Sequence, residues 1–168
     1  MSINGALFGL NRWLPGTLQS WAIHPRFGDI IVDVDSVDSA WVEAQSVLLG
    51  EVLNILLDNA FKFSKSGTPI TIRLSRVEER IGLSVQDQGN GITDEDQTLL
   101  FTPFFRSEEV RRRGIEGLGL GLSIAKRLAE ALRGVLAVES QVGQGSLFTL
   151  RLKIDQVPSE RVVPSPDP

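Results

Sequence analysis

Five short stretches of the chain, most of them alternating between apolar and polar residues, predict β-strands. They are residues 30–34, 70–74, 81–85, 134–139 and 146–154. Charged residues 78–80 separate one consecutive pair and the glycine-containing residues 142–145 separate another, which predicts two hairpins. Strands with one polar face suit a sheet that helices cover on its other face.

Two longer stretches have the period of an α-helix. One begins at Ser46, a favoured N-cap residue, and continues to about Phe63, before Gly67-Thr68-Pro69 ends it. The other covers residues 120–132, with Leu120, Ile124, Leu128 and Ala131 predicted on one face. Residues 1–28 have partial helical spacing that Pro15-Gly16 should interrupt.

The composition limits the function classes. A length of 168 residues favours one domain, and the absence of cysteine removes disulfides and thiolate metal sites. A net charge of −4 argues against nucleic acid as a partner. No apolar run approaches the ~20 residues of a spanning helix, and no signal peptide is evident. We therefore expect a cytoplasmic chain, or a cytoplasmic piece of a membrane-anchored protein.

Candidate chemistry concentrates between residues 87 and 121, which contain six of the sixteen glycines. Residues 87–92 follow a predicted strand with the pattern Asp-x-Gly-x-Gly-Ile, and residues 117–121 precede a predicted helix with Gly-x-Gly-x-Gly. Glycines before a helix let the backbone approach an anion, which the free amides then bind. The polar segment between the two motifs resembles a lid, so the pattern predicts a nucleotide site.

The long predicted helix carries more polar groups than a buried helix needs. Ile55, Asn59, Lys62 and Phe63 fall on one face, with Glu51 one turn earlier. An Asn oxygen suits Mg²⁺, and a nearby lysine suits phosphate. The alternative is that Asn59 bonds nearby backbone and that Lys62 is merely solvated.

The ordered motifs resemble the ATP-binding catalytic domain of sensor histidine kinases, whose fold is shared with gyrase B and with heat-shock and mismatch-repair ATPases. The resemblance covers about residues 30–154 and includes the Asn helix, both glycine motifs, a Phe-rich box at 100–106 and Gly-x-Gly-Ser at 143–146. It implies an α/β two-layer sandwich, a mixed sheet of about five strands covered on one face by about three helices. An ATP lid would lie between Phe101 and Gly117.

The resemblance also implies roles for individual residues. Asp87 would accept the amino group of adenine, Ser146 would support that contact, and Asn59 would hold Mg²⁺. Lys62 and Arg106 would contact phosphate, and Phe101, Phe104 and Phe105 would pack the lid. The ATP-binding residues implied are Asn59, Lys62, Phe63, Asp87, Gly89, Gly91, Ile92, Phe104, Arg106, Gly117, Leu118, Gly119, Leu120, Gly121 and Ser146.

Two departures from the family pattern change the picture. The family usually has a second Asn four residues before Asn59, where this chain has Ile55. Asn54 cannot replace it, because residues four apart differ by ~40° around a helix and residues five apart by ~140°. The only histidine, His24, precedes a proline where the family's phosphoacceptor precedes an acidic base.

These expectations divide the chain into an N-terminal segment at 1–28, an ATP-binding domain at 29–154 and a disordered tail at 155–168. The implied function is ATP-dependent protein histidine kinase activity in two-component signalling, with Mg-ATP as cofactor. The partners would be a His-bearing dimerisation domain, separate or missing upstream, and a response regulator receiver domain. A homodimer would require that dimerisation domain. The alternatives are a serine kinase of the anti-sigma type and a degenerate nucleotide-binding docking module.

Overall fold

The computed structural model describes residues 5–34 and 40–155 of the chain. The strands are β1 (Ala6–Gly9), β2 (Ile30–Asp33), β3 (Trp41–Ala44), β4 (Ile70–Val77), β5 (Arg80–Asp87), β6 (Val135–Gln141) and β7 (Gly145–Lys153). The helices are α1 (Leu10–Leu18), α2 (Ser46–Phe63), α3 (Asp94–Leu99), α4 (Glu108–Arg112) and α5 (Gly121–Ala131). Two short 3₁₀ turns, Gln19–Trp21 and Phe27–Asp29, precede β2.

A mixed sheet of five strands, in the order β2-β4-β5-β7-β6, forms the centre of the fold. The β2–β4 pair is parallel, and the other three pairs are antiparallel. Alternate residues of β4, such as Ile72 and Leu74, are buried against the helices, while Arg73 between them is exposed. The predicted two-layer α/β architecture, with one face of the sheet covered, is confirmed.

Three helices supply the helical side of the core. Helix α2 buries Leu49, Val52, Leu53, Leu56, Leu57, Ala60 and Phe61. Helix α5 packs beside it through Ala125 and Ala129. The predicted face of α5 is wrong at two of its four positions, because Ile124 and Ala131 are exposed, whereas Leu128 packs against the core. Small residues at this helix–helix contact let the two backbones approach closely, so the larger Ile124 is turned outward.

The N-terminal segment packs into the same core as the rest of the described chain. Helix α1 continues through Pro15 instead of ending there, because Leu10, Leu14 and Leu18 are all buried and this packing outweighs one lost backbone hydrogen bond. Strand β1 pairs antiparallel with β3 in a separate two-stranded sheet. The domain division at residue 28 stays a prediction, and residues 156–168 of the expected tail lie outside the described residues.

Helix α2 has the predicted length but a different N-cap. Gln45 occupies the cap position, and Ser46 is the first helical residue. At the other end, the guanidinium of Arg26 donates to the carbonyl oxygens of Phe61 and Ser64, both at 2.9 Å. A cation at this end satisfies free carbonyls and complements the helix dipole. Arg26 therefore fixes the end of the helix that carries Asn59 and Lys62.

Within residues 5–34 and 40–155, no helix has the length and apolar character required to cross a bilayer.

Candidate nucleotide-binding site

A cavity of about 1030 Å³ lies between α2, the loop after β5, the lid segment and the start of α5. Most of the predicted ATP-binding residues border it, namely Asn59, Lys62, Phe63, Asp87, Gly91, Ile92, Arg106, Gly117, Leu118, Gly119, Leu120, Gly121 and Ser146. Gly89 and Phe104 are not among the bordering residues. Residues from four separated parts of the sequence thus meet around one space.

Asp87 is the buried carboxylate of the cavity. It ends β5 opposite Ser146 of β7, and only 3% of its surface is exposed. Its Oδ1 accepts the Gly89 N–H at 2.8 Å. Burial raises the pKa of Asp87 above its ordinary value, while the Gly89 and Ser146 N–H groups act in the opposite direction. The carboxylate is therefore held in one orientation and is only partly compensated within the protein.

Two glycines after Asp87 permit close contacts between backbone segments. A Cβ on Gly89 would lie 2.2 Å from the carbonyl oxygen of Phe63, at the end of α2. A Cβ on Gly91, whose φ is +72°, would lie 2.0 Å from the carbonyl oxygen of Gln141. Gly89 thus joins the end of β5 to the end of α2 from outside the cavity, and only Gly91 borders it.

Ser140 is a polar residue of the site that sequence reasoning missed. Its Oγ accepts the Ile92 N–H at 2.9 Å and donates to the Gly145 carbonyl at 2.8 Å. It also lies 2.8 Å from the Ser146 Oγ. The available signal was positional, since Ser140 faces Ser146 across the β6–β7 hairpin.

The exposed end of the cavity is built on α2. The Lys62 ammonium lies 2.9 Å from Asp58 Oδ2, and it is 3.9 Å from where a Cβ on Gly117 would stand. Asn59 borders the cavity on the same helix, one turn after Ile55. Asn54 also borders the cavity, but its Oδ1 is occupied there, because it accepts the Trp21 indole N–H at 2.8 Å. The contact agrees with the helical geometry that excluded Asn54 as a replacement for Ile55.

The lid segment contains α4, which Ser107 caps through its side chain. Arg106 precedes it, borders the cavity and donates to the Ile115 carbonyl. Phe105 borders the cavity, whereas Phe104 is 66% exposed and has a φ of +66°. The Phe104 N–H donates to Gly119, so the aromatic box is tied to the glycine motif through its backbone.

His24 is used for packing. Its ring stacks on Phe61 at a centroid distance of 4.1 Å, and its Nδ1 accepts the Arg26 N–H at 3.1 Å. The ring also borders the cavity, and these contacts on its face and at its Nδ1 support the expectation of a structural role, which stays a prediction.

Residues 44–156 match the histidine kinase-, DNA gyrase B- and HSP90-like ATPase family. The chain belongs to this family. The chain is 41% identical over 135 residues to the sensor histidine kinase YkoH of Bacillus subtilis, which covers 80% of this chain and 28% of YkoH. It is 33% identical over 148 residues to the autoinducer 2 sensor kinase/phosphatase LuxQ of Vibrio cholerae, covering 83% and 17% respectively. The chain thus spans less than a third of the length of each of these two relatives.

Solved structures of two sensor histidine kinases have the same fold as this chain. The mycobacterial sensor histidine kinase MprB matches with a TM-score of 0.74 and 27% identity, over 91% of this chain and 99% of that one. Full-length ShkA, solved in complex with AMPPNP, matches with a TM-score of 0.76 over 94% of this chain and 32% of ShkA. At 23% identity, the ShkA likeness carries the fold alone. The predicted family and fold are confirmed.

Proposed function

We propose that the cavity binds Mg-ATP and that the domain donates the γ-phosphoryl group to a histidine of another domain or protein, as the catalytic half of a sensor histidine kinase. The observation that carries the proposal is the layout of the cavity. A buried carboxylate, Asp87, lies at one end, and Asn59, Lys62 and the glycine motif border the same space. Membership in an ATPase family supports ATP as the ligand.

At the Asp87 end, the base is recognised by hydrogen bonding. An ionised carboxylate only accepts hydrogen bonds, so it favours the exocyclic amino group of adenine over a keto oxygen. Because Asp87 is buried, the mismatch of two acceptors would leave the keto oxygen and the carboxylate without a hydrogen bond between them in a site with little water, which is costly. Ser146, whose backbone N–H supports the carboxylate, supplies a second polar group beside it.

At the other end of the cavity, positively charged groups would compensate the negative charge of the triphosphate. The Lys62 ammonium and the Arg106 guanidinium both border the cavity, and both are suited to phosphate oxygens. Residues 117–121 lead directly into α5, whose first free N–H groups add a partial positive charge. These groups would hold the triphosphate in place and stabilise charge during transfer, which is the main protein contribution in phosphoryl transfer.

Mg²⁺ fits this site with few protein ligands. Asn59 would hold it through its amide oxygen, and the remaining positions would be filled by phosphate oxygens and water, as Mg²⁺ prefers. Among the described residues no cluster of three or more His, Asp or Glu side chains could hold a metal. Bound there, the ion would neutralise phosphate charge.

Ile55 is the test of this metal assignment. Replacing Ile55 with Asn adds an amide oxygen one turn before Asn59, so we expect Mg²⁺-dependent nucleotide binding to become tighter. Titration calorimetry with and without Mg²⁺ measures the gain, and Val47→Asn, which adds an amide at an exposed position of α2 that does not border the cavity, is the control. No gain for Ile55→Asn would show that the metal does not use this position.

The phosphoacceptor comes from outside the described residues in this proposal, since the one histidine, His24, is stacked on Phe61. An imidazole nitrogen of the acceptor would form a bond to the γ-phosphorus while the bond to the bridging oxygen breaks, and ADP would leave. A His-bearing helical dimerisation domain fits as the acceptor. A response regulator receiver domain, which takes the phosphoryl group from that histidine, completes the pair of partners.

The decisive experiment mixes the domain with labelled ATP and a candidate His-bearing helical domain. We expect label on the acceptor that is lost in acid, because phosphohistidine is acid-labile, and less label with the Asp87→Asn variant at an ATP concentration near the wild-type Kd. An acid-stable label would favour the serine kinase alternative. Absence of any transfer, together with intact ATP binding, would favour a docking module, for which Ile55 at the metal position is the specific observation.

A further inference from the structure

The hydroxyl of Ser140 is the centre of a hydrogen-bond network behind the Asp87 end of the cavity. Three groups surround its Oγ within 2.9 Å: the Ile92 N–H, the Gly145 carbonyl and the Ser146 hydroxyl. Ser146 is 7% exposed and borders the cavity, whereas Ser140 does not border it. Ser140 can therefore act on a ligand only through its neighbours.

Counting donors and acceptors fixes the direction of each bond. A serine hydroxyl has one hydrogen and two lone pairs. The Gly145 carbonyl can only accept, so the single Ser140 hydrogen points to it. The Ile92 N–H can only donate, so it occupies one lone pair of Ser140. Either hydroxyl could donate in the remaining contact by geometry alone, and with the Ser140 hydrogen on Gly145 it is Ser146 that donates to Ser140.

As a result, the Ser146 hydroxyl has no hydrogen left for a ligand. Its free lone pairs are the only hydrogen-bonding groups that it can offer to the cavity. Asp87 beside it also accepts only, in its ionised form. The Asp87 end of the cavity thus offers side-chain acceptors and no side-chain donor at these two positions.

We infer that Ser140 is a specificity-determining positioning residue, which orients the Ser146 hydroxyl so that the site selects a purine with an amino group at C6, as in adenine, against one with a keto oxygen at C6, as in guanine. This inference rests on the proposed function of the same cavity. Ser140 makes the selection without touching the base.

Further contacts keep Ser140 in this arrangement. The Gln97 side chain donates to the carbonyls of Ile92 and Ser140, at 2.9 and 3.1 Å. The Gly143 N–H donates to the Asn90 carbonyl at 2.7 Å. These bonds join the loop after β5 to the β6–β7 hairpin on both sides of Ser140. The Ile92 N–H therefore stays in place to occupy its lone pair on Ser140.

The test compares ATP and GTP affinity in wild type and in Ser140→Ala, by titration of fluorescent analogues of both nucleotides. Without Ser140, the Ser146 hydroxyl can rotate and donate to a keto oxygen, so we expect the preference for ATP to fall by at least about tenfold. Ser140→Thr keeps the hydroxyl and should retain the preference. Ser84→Ala is the matched control, because Ser84 donates to Arg73 on the open face of the sheet.

Different failures lead to different conclusions. An unchanged ATP-to-GTP ratio in a folded Ser140→Ala protein overturns the inference and leaves the proposed function standing. Absence of ATP binding in wild type overturns the proposed function itself. If Ser140→Ala does not fold, Ser146→Ala decides, since it removes the acceptor that Ser140 orients toward the base and should weaken ATP binding more than GTP binding. Equal weakening of both nucleotides by Ser146→Ala would also overturn the inference.

Discussion

The two ends of the cavity are built in different ways. At the base end, defined by Asp87, Ser140 and Ser146, the polar groups are tied to one another within three adjacent strands, and Asp87 and Ser146 are only 3% and 7% exposed. At the phosphate end, defined by Lys62, Arg106 and residues 117–121, Leu118 is 73% exposed and the Lys62 side chain 43%. One end is part of the sheet, and the other is a helix surface facing a lid.

In the proposed function, the two ends recognise different chemical groups. A hydrogen bond weakens steeply with angle, so discrimination between an amino group and a keto group requires fixed donors and acceptors. Attraction between charges depends on distance alone and falls slowly, so a flexible lysine can still bind phosphate. We therefore expect substitutions at the base end to change fold and selectivity, and substitutions at the phosphate end to change affinity alone.

Gly145→Ala should have the largest effect. A Cβ at this position would lie 2.0 Å from the carbonyl oxygen of Asp87, and the residue has a φ of +89°. Because two paired strands would have to separate, we expect the free energy of unfolding to fall by more than about 3 kcal/mol. Urea denaturation of the wild type and the variant measures the loss.

Gly114→Ala in the lid is the matched control. Its φ of +64° is also positive, but no atom lies within 4 Å of the added Cβ. The backbone conformation alone should then cost about 1–2 kcal/mol. Equal losses for the two variants would contradict the contrast between a rigid end and an open end.

Asp87→Asn should have the next largest effect, which we expect on ATP binding. The change replaces a buried ionised acceptor with an amide, so we expect ATP affinity to fall by about 1–3 kcal/mol. Titration with a fluorescent ATP analogue measures it. Asp58→Asn, which removes a carboxylate at the phosphate end, should not weaken binding. Unchanged binding in Asp87→Asn would reject the adenine assignment.

The same contrast explains how much the sequence could predict. Asp87 and the glycine motifs were found because each has local spacing that points to one kind of chemistry. Ser140 was missed, because its importance depends on pairing with Ser146 across a hairpin and on a loop fifty residues earlier. Arg26 was missed for the same reason, because its acceptors, the carbonyl oxygens of Phe61 and Ser64, lie far from it in the sequence.

The errors in the predicted elements also have physical causes. The pattern placed an interruption at Pro15, but buried Leu14 and Leu18 keep α1 continuous. The predicted face of α5 was placed on Leu120, Ile124, Leu128 and Ala131, whereas its buried residues include Ala125 and Ala129. Periodicity identifies a helix, but the residues it buries depend on how closely the partner helix approaches.

Lys62→Gln should have a smaller effect that is confined to the phosphate end. Since the ammonium is largely solvated and already pairs with Asp58, we expect a loss of about 0.5–1 kcal/mol in ATP affinity, which shrinks as salt is added. Adenosine lacks phosphates, so its binding should not change. Lys65→Gln, at an exposed lysine that does not border the cavity, is the control. A loss of adenosine affinity in Lys62→Gln would contradict the separation of the two ends.

The smallest effect is a pH dependence that belongs to the base end. Burial raises the pKa of Asp87 above its ordinary value of 3.8, so the folded state holds this proton more tightly than the unfolded chain does. The contribution of this proton to the free energy of unfolding is fully present below the ordinary pKa of Asp87. It is lost as pH rises through the pKa of Asp87 in the folded state. Over the same range ATP affinity should rise, because the ionised carboxylate is the acceptor.

Asp87→Asn isolates this pH effect, since the amide resembles the protonated acid and does not titrate. We expect the free energy of unfolding of wild type to decrease relative to that of Asp87→Asn as pH rises from 3.8, measured by urea denaturation at a series of pH values. The Arg26 hydrogen bond and the Gly67 N–H lower the pKa of Asp29, so its effect on the pH dependence of stability has the opposite sign. This effect is present in both proteins and cancels in the difference between them. The contrary result would be a wild type that gains stability over the variant as pH rises. It would mean that the hydrogen bonds to Asp87 stabilise its charge more than burial destabilises it. The carboxylate would then need no ligand to compensate it.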